Sequence, residues 1–213
     1  PMIGSWMQIP HPMVAETMAQ SGADFILLDG EHAPVPPDAL ISLLPAIERF
    51  KMPVLYRVRI NSSELIKGAL DAGVSGVMVP MVNSVEEARE AIAAAKYPPL
   101  GRRGVGPWRA ANYYLDDDYL AKANTNVPVV LQIETKEAVE AVDDIAKQPG
   151  VAALIQPLMS TITSLDTLLY KQIEPDTDTG AITAFATVAP APKFRLDTSS
   201  IAPQANTVMK PAA

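Results

Sequence analysis

The sequence predicts an α/β fold, a TIM-type (β/α)8 barrel whose pattern turns incomplete or irregular after the sixth strand. Three observations predict it. Short apolar runs alternate with helical patterns at a repeat of roughly 25 residues, which calls for parallel strands and right-handed crossovers. Residues 25–32 (Phe-Ile-Leu-Leu-Asp-Gly-Glu-His) begin with an apolar run that does not alternate, the mark of a strand buried on both faces, and end in two carboxylates and an imidazole. Polar residues recur where successive runs stop, at Gln8, Asp29, Arg57 and Glu134. An open doubly wound sheet also satisfies the alternation, but recurring polar strand ends suit one shared barrel mouth better.

Each element has its own signal. Residues 3–8 form the first strand, and a helix over 12–20 follows, with Pro12 in its first turn and Gly22 closing it. After the strand at 25–29, Pro36, Pro37 and Asp38 open a helix whose Leu40, Leu43, Leu44 and Ile47 recur at helical spacing. Residues 53–58 are the third strand, with Arg57 near its end, and a helix over 62–72 is stopped by Gly73. The fourth strand covers 76–81. Ser84 and Glu87 match a capping box, opening an alanine-rich helix to Lys96 that buries Val85, Ala88, Ile92 and Ala95. A long irregular stretch over 97–127 holds the glycine-rich run 101–106 and the aromatics Trp108, Tyr113 and Tyr114. Residues 128–133 are the fifth strand and end at Glu134; Thr135 caps a helix over 136–147, and 151–155 is the sixth strand.

Beyond Gln156 the character changes. Three threonines occur in the first 160 residues and nine in the last 53, where Gly180 is the only glycine. The chain therefore divides into a barrel core carrying the mouth motifs (1–156), a divergent helix and strand segment (157–189) and a flexible proline-rich tail (190–213). Within the middle segment, 161–173 reads as a helix and 181–188 as a strand.

Composition excludes several classes. Apolar residues make up 48% and charged residues 19%, as in a globular protein, and the net charge of -7 argues against nucleic acid or an anionic membrane as partner. Zero cysteines exclude a disulfide scaffold, a thiolate metal site and a cysteine nucleophile, and they fit a cytoplasmic location. No apolar run is long enough to span a bilayer and no leader pattern is present. The chain reaches a strand almost at once after Pro1, so a segment upstream is expected.

The strand ends suggest chemistry. Glu134 offers an oxygen ligand suited to a hard divalent cation. Arg57 offers a planar fork for an anionic substrate. His32 exchanges protons near neutral pH when a carboxylate fixes its tautomer, and Asp71, at a helix end, is a candidate for that task. A cation, an arginine and a histidine at one mouth suit enolate chemistry on an oxo acid.

Residues 29–34 (Asp-Gly-Glu-His-Ala-Pro), 96–106 (Lys-Tyr-Pro-Pro-Leu-Gly-Arg-Arg-Gly-Val-Gly) and 132–135 (Gln-Ile-Glu-Thr) closely resemble the HpcH/HpaI aldolase/citrate lyase family, whose best-known members are class II 4-hydroxy-2-oxoheptanedioate aldolases. The resemblance covers about residues 3–151. It implies a (β/α)8 barrel that makes or breaks carbon–carbon bonds through a pyruvate enolate held on Mg²⁺, Mn²⁺ or Co²⁺. It further implies His32 as acid/base group with Asp71 as dyad partner, Arg57 contacting pyruvate, Glu134 as first metal carboxylate and Gln132 as a substrate-side polar group. Asp29 and Glu31 match mouth-loop acids, and Trp6 an aromatic near the pocket. The partners implied are a small oxo acid and an aldehyde, with a homo-oligomer left open.

One departure stands out. The family's second metal carboxylate lies in a Gly-Pro-x-Asp pattern after the sixth strand, where this chain reads Gln-Pro-Leu-Met-Ser over 156–160; Asp166 is the nearest acid and a weak substitute. A non-catalytic or truncated relative is therefore the alternative reading. Plainer roles are expected elsewhere. His11, between two prolines, reads as a loop residue, and the run 101–106 as a flexible mouth loop rather than a phosphate cradle, since it lacks a Walker lysine. The aromatics of 108–114 read as packing or interface, and Asp116 to Asp118 as a solvated turn.

Overall fold

The computed structural model describes residues 2–157 and 185–188. Among them, seven strands form one sheet: β1 (Gly4–Met7), β2 (Phe25–Asp29), β3 (Val54–Arg57), β4 (Gly76–Val79), β5 (Val129–Gln132), β6 (Val151–Pro157) and β7 (Phe185–Val188). Each pairs in parallel with the strand before it, so spatial order equals chain order. A doubly wound sheet would reverse direction at a switch point, whereas unreversed order is that of a barrel wall. The open-sheet alternative is set aside on that ground. The expected helix over 161–173, Asp166 and the tail over 190–213 lie outside the described residues, while β7 falls inside the strand expected over 181–188.

The crossovers are α1 (Pro12–Ala19), α2 (Leu40–Glu48), α3 (Ser63–Asp71), α4 (Val85–Ala95), α5 (Tyr119–Asn126), α6 (Lys136–Glu140) and α7 (Val142–Ala146). Local chemistry explains several ends. Ser84 Oγ accepts the Glu87 N–H at 3.1 Å, and Glu87 Oε2 accepts the Asn83 N–H at 2.7 Å, so the capping box closes around the start of α4. Thr135 Oγ1 caps α6 through the Ala138 N–H at 3.1 Å. His11 is more than a loop residue: its Nδ1 accepts the Met13 N–H at 3.2 Å and caps α1.

Three details differ from the sequence reading. A 3₁₀ turn, Pro37–Ala39, precedes α2. The helix expected over 136–147 breaks at Ala141 into α6 and α7, with no glycine or proline to announce it. Helix α5 arises inside the stretch read as irregular; it buries only Ala123, so it leaves almost no apolar stripe to recognise. Asp118 sits at its start, and the exposed turn places Asp116 Oδ1 3.2 Å from the Asp118 N–H, as expected of a solvated acidic turn. Trp108 and Tyr113 pack edge to face, 5.1 Å between ring centres, on an exposed excursion where Asn112, Tyr113 and Tyr114 all take left-handed backbone angles.

Two apolar cores lie on opposite faces of the sheet. The larger joins helices to strands through residues such as Ala15, Leu40, Leu43, Leu44, Ile47, Ile66, Ala88 and Leu131. The smaller is an inner layer of Leu27, Met78, Val130 and Ile155, with Trp6, Phe25, Leu55 and Ala153 packed against it, so every strand from β1 to β6 contributes. Side chains two residues apart share a strand face. Moving two residues on from Leu27, Leu55 and Val130 therefore reaches Asp29, Arg57 and Gln132, still on the inner face. Burial delivers the polar groups to one end.

Helix α2 offers a direct check on which face is which. Leu43 is fully buried whereas Ile41, two residues earlier, is 68% exposed. Leu43→Ala is expected to lower the free energy of unfolding by about 2–5 kcal/mol, and Ile41→Ala by less than about 0.5 kcal/mol, in urea titrations followed by circular dichroism.

Candidate active site

At the carboxyl end of the inner face, Asp29 and Arg57 stand opposite one another in strand register. Asp29 is wholly buried and Arg57 nearly so. Arg57 donates through Nε to Asp29 Oδ1 at 2.9 Å and through Nη2 to Oδ2 at 2.7 Å, a fork-to-fork pair. Asp29 Oδ1 also accepts the N–H groups of Glu31 and His32, each at 3.1 Å, while Gln8 Nε2 donates to Oδ2 at 3.3 Å. Burial pushes the Asp29 carboxyl up, but the Arg57 and His32 hydrogen bonds, the Arg57 charge and the Gln8 bond outweigh it and hold the group below its ordinary value. Asp29 is thus the post to which both the arginine and the loop over 30–32 are tied.

Gly30 is required in that loop because of close approach. Its N–H donates to the Arg57 carbonyl at 3.0 Å, and a Cβ there would collide with that oxygen and with the Tyr56 hydroxyl. The Tyr56 hydroxyl is itself spent on the Val35 carbonyl at 2.9 Å.

The rest of the guanidinium is fixed from other strands. Its carbon lies 4.5 Å from the centre of the Trp6 ring on β1, and Nη1 donates to Gln132 Oε1 on β5 at 3.4 Å. Nη1 also stands 2.8 Å from Glu31 Oε2. His32, with a side chain 67% exposed, places Nε2 3.7 Å from the same oxygen. Both approaches give Glu31 Oε2 a charge partner, yet neither meets hydrogen-bond geometry, and this buried oxygen receives no proton donor. Burial raises the Glu31 pKa, Arg57 and His32 pull it down, and the charges of Glu134 and Asp29 push it up again; the net shift is upward.

Glu134, just past β5, accepts the Met81 N–H on Oε2 at 2.8 Å, joining the loops that follow β4 and β5. The donor chemistry suits a hard divalent cation: Glu31 and Glu134 are both carboxylates, the charge of Glu134 reaches Glu31, and Glu31 carries a buried oxygen without a donor. Among the described residues no group of three or more histidine, aspartate, glutamate or cysteine side chains is placed to hold a metal. Two carboxylates are still within what Mg²⁺ uses when water and substrate complete its shell.

The structure brings together Trp6, Asp29, Glu31, His32, Arg57 and Gln132, with Glu134 electrostatically coupled to Glu31. It does not bring Asp71 to His32. Asp71 ends α3, nine residues and about 13 Å along the helix from the mouth side. Its Oδ1 accepts from Arg103 Nη2 at 2.6 Å and Nε at 3.2 Å. The glycine-rich run is likewise no mouth loop. Its Arg103 is buried, sits 4.5 Å over the Tyr97 ring and is pinned behind α4 by its N–H on the Lys96 carbonyl at 2.9 Å. The carboxylate that approaches the His32 imidazole is that of Glu31, a neighbour in sequence. Sequence reasoning missed Met81 and Asn83 beside Glu134, whereas Gln8, read only as a polar strand end, is found on Asp29.

Several known proteins are similar to this chain. The HpcH/HpaI aldolase/citrate lyase family model matches residues 2–197. The chain is 40% identical over 151 residues to a 2-keto-3-deoxy-L-rhamnonate aldolase of Salmonella gallinarum (70% of this chain, 57% of that protein). It is 38% identical over 153 residues to a hydroxypyruvate/pyruvate aldolase of Deinococcus radiodurans (71% and 55%). A crystal structure of an HpcH/HpaI family protein from Burkholderia cenocepacia superposes with a TM-score of 0.70 at 35% identity, over 74% of this chain and 64% of that one. The chain spans a little over half the length of the curated relatives it matches.

The Asp29–Arg57 pair predicts a pH dependence of stability. A carboxyl whose folded pKa is depressed stabilises the fold above its unfolded value, here near 3.8, and loses that contribution as pH falls through the folded value. Glu31, raised above 4.5, contributes in the opposite direction as pH rises through its folded value. Comparison with Asp29→Asn isolates the first effect. The variant is expected to be less stable at neutral pH by about 3–5 kcal/mol, because Arg57 loses its buried partner, and to show a shallower loss below pH 4 in urea titrations.

Proposed function

The chain belongs to the HpcH/HpaI aldolase/citrate lyase family, and from that premise we propose that it is a metal-dependent carbon–carbon lyase of the class II aldolase type. Its substrates are 4-hydroxy-2-oxo acids, cleaved to pyruvate and an aldehyde or formed by the reverse condensation. The observation that supports this best is the buried Arg57 fork, held by Asp29, Trp6 and Gln132 from three other strands, beside an exposed imidazole on a tethered loop. A cation fixed in this way, with its Nε–Nη2 edge spent on Asp29, offers positive charge rather than a free fork to the carboxylate or 2-oxo oxygen of a short oxo acid.

Each residue then has a role. Arg57 orients the oxo acid, and its rigid mounting limits reorganisation when negative charge grows on the 2-oxo oxygen. His32 takes the proton from the 4-hydroxyl as the C3–C4 bond breaks, which releases the aldehyde and leaves the enolate of pyruvate. A proton returned to C3 completes pyruvate. Glu31 Oε2 lies 3.7 Å from the imidazole nitrogen of His32. Glu134 and Glu31 would hold a divalent cation, Mg²⁺, Mn²⁺ or Co²⁺, which when bound polarises the 2-oxo oxygen and shares its developing charge. Oxo acid and aldehyde are the partners in this reading, and its location is cytoplasmic.

The second reading, a relative without turnover, is favoured by the Gln-Pro-Leu-Met-Ser sequence over 156–160, which lacks the second metal carboxylate of the family. Pyruvate release from 4-hydroxy-2-oxo acids, with Mg²⁺ or Mn²⁺ and with a chelator, separates the two. Metal-dependent turnover is expected, and its absence under every divalent ion in folded protein would defeat the aldolase reading. His32→Ala and Glu134→Ala are each expected to lower kcat by about a hundredfold or more.

A further inference from the structure

Met81 follows β4 with a backbone φ of 54°, in the left-handed region that a residue with a side chain rarely enters. Such an outlier persists only where its surroundings over-determine it. Here the constraint is a ring of hydrogen bonds around one side chain. Asn83 Nδ2 donates to the Met81 carbonyl at 2.9 Å, and Asn83 Oδ1 accepts from Thr135 Oγ1 at 2.6 Å. The Asn83 N–H is fixed on Glu87 Oε2 at 2.7 Å, and the Val82 N–H donates to the Gln132 carbonyl at 3.2 Å. The free end of this arrangement is the Met81 N–H, which points at Glu134 Oε2.

We propose that Asn83 is a positioning residue for the carboxylate of Glu134. It acts at one remove, holding Met81 in the left-handed conformation that presents its N–H, and tying that loop to Thr135, the next residue after Glu134. Both ends of the Asn83 carboxamide are used, one on each loop, so no smaller or purely apolar side chain does the same. A donor fixed on Oε2 settles which way the carboxylate faces and leaves Oε1, which accepts no hydrogen bond among the described residues, for a cation. Groups outside a metal's own ligands that orient them commonly account for tenfold to hundredfold in affinity. The inference rests on the reading of Glu134 as a metal carboxylate.

The test is Mn²⁺ affinity, measured on the full chain by electron paramagnetic resonance titration, for the parent, Asn83→Leu and Asn83→Gln, each checked for folding by circular dichroism. Asn83→Leu removes both bonds at similar size and is expected to bind Mn²⁺ about ten- to a hundredfold more weakly. Asn83→Gln keeps donor and acceptor and is expected to recover most of the loss. Unchanged affinity in folded Asn83→Leu overturns the proposal. Equal weakening in both variants overturns it too, since a requirement for shape alone would then explain the loss. Failure of the parent chain itself to bind Mn²⁺ would instead sink the metal role of Glu134, a different outcome visible before any variant is made.

Discussion

The pairing of Asp29 with Arg57 is the constraint on which the site depends. Two opposite charges are removed from water at the end of the inner face, and neither is tolerable there without the other. Strand register places them side by side, and the planar match of guanidinium and carboxylate fixes their orientation. Because Asp29 also receives the N–H groups of Glu31 and His32, one buried carboxylate sets both the arginine and the loop that carries the imidazole. The remaining edge of Arg57 then meets Glu31 and Gln132 with little freedom left. Rigidity at the site follows from the same interaction that makes the burial tolerable.

The opposite end of the sheet carries a polar cluster of its own. Arg103 binds Asp71 and lies over Tyr97, and the buried Lys96 ammonium donates to the carbonyls of Asn124 and Val127 at 2.7 and 2.6 Å. Burial lowers the Lys96 pKa, yet two carbonyl acceptors satisfy it as a hydrogen-bond donor. These contacts fasten the long connection between α4 and β5 to the ends of its neighbours, and Arg109 adds a forked pair with Glu48 on α2 at 2.8 and 3.0 Å. A crossover helix carries the chain from mouth to base, so motifs close in sequence to the site's strands sit at the far end of the molecule. Asp71 and the run over 101–106 are two examples.

That geometry explains what could be read from the residues alone. The strand ends were legible because an apolar run that stops in a charge marks both a buried segment and its exit, and Asp29, Arg57 and Glu134 all carry that mark. The capping box at Ser84 and the cap at Thr135 were legible because they are local. Asp71 misled for the opposite reason: its position on a helix could be read, but the end of the barrel it faces depends on chain direction, which residue type does not encode. Glu31 was legible as an acid and not as the carboxylate beside the His32 imidazole, since adjacent residues on a loop approach only when the backbone turns. Asp29 makes that turn. The strained Met81 left no trace, because methionine is among the residues least suggestive of left-handed backbone.

The unreversed strand order has a consequence for assembly. Among the described residues every strand after β1 hydrogen-bonds to the one synthesised just before it, so none of these pairings waits for a segment beyond the next crossover. The entropy of closing each connection grows only slowly with its length, so even the long link between β4 and β5 adds little beyond the shorter ones. A nascent chain leaving the ribosome can add one strand and helix at a time to a template already in place. Asp29 would gain its arginine as soon as β3 docked, long before the synthesis of Gln132 or Glu134.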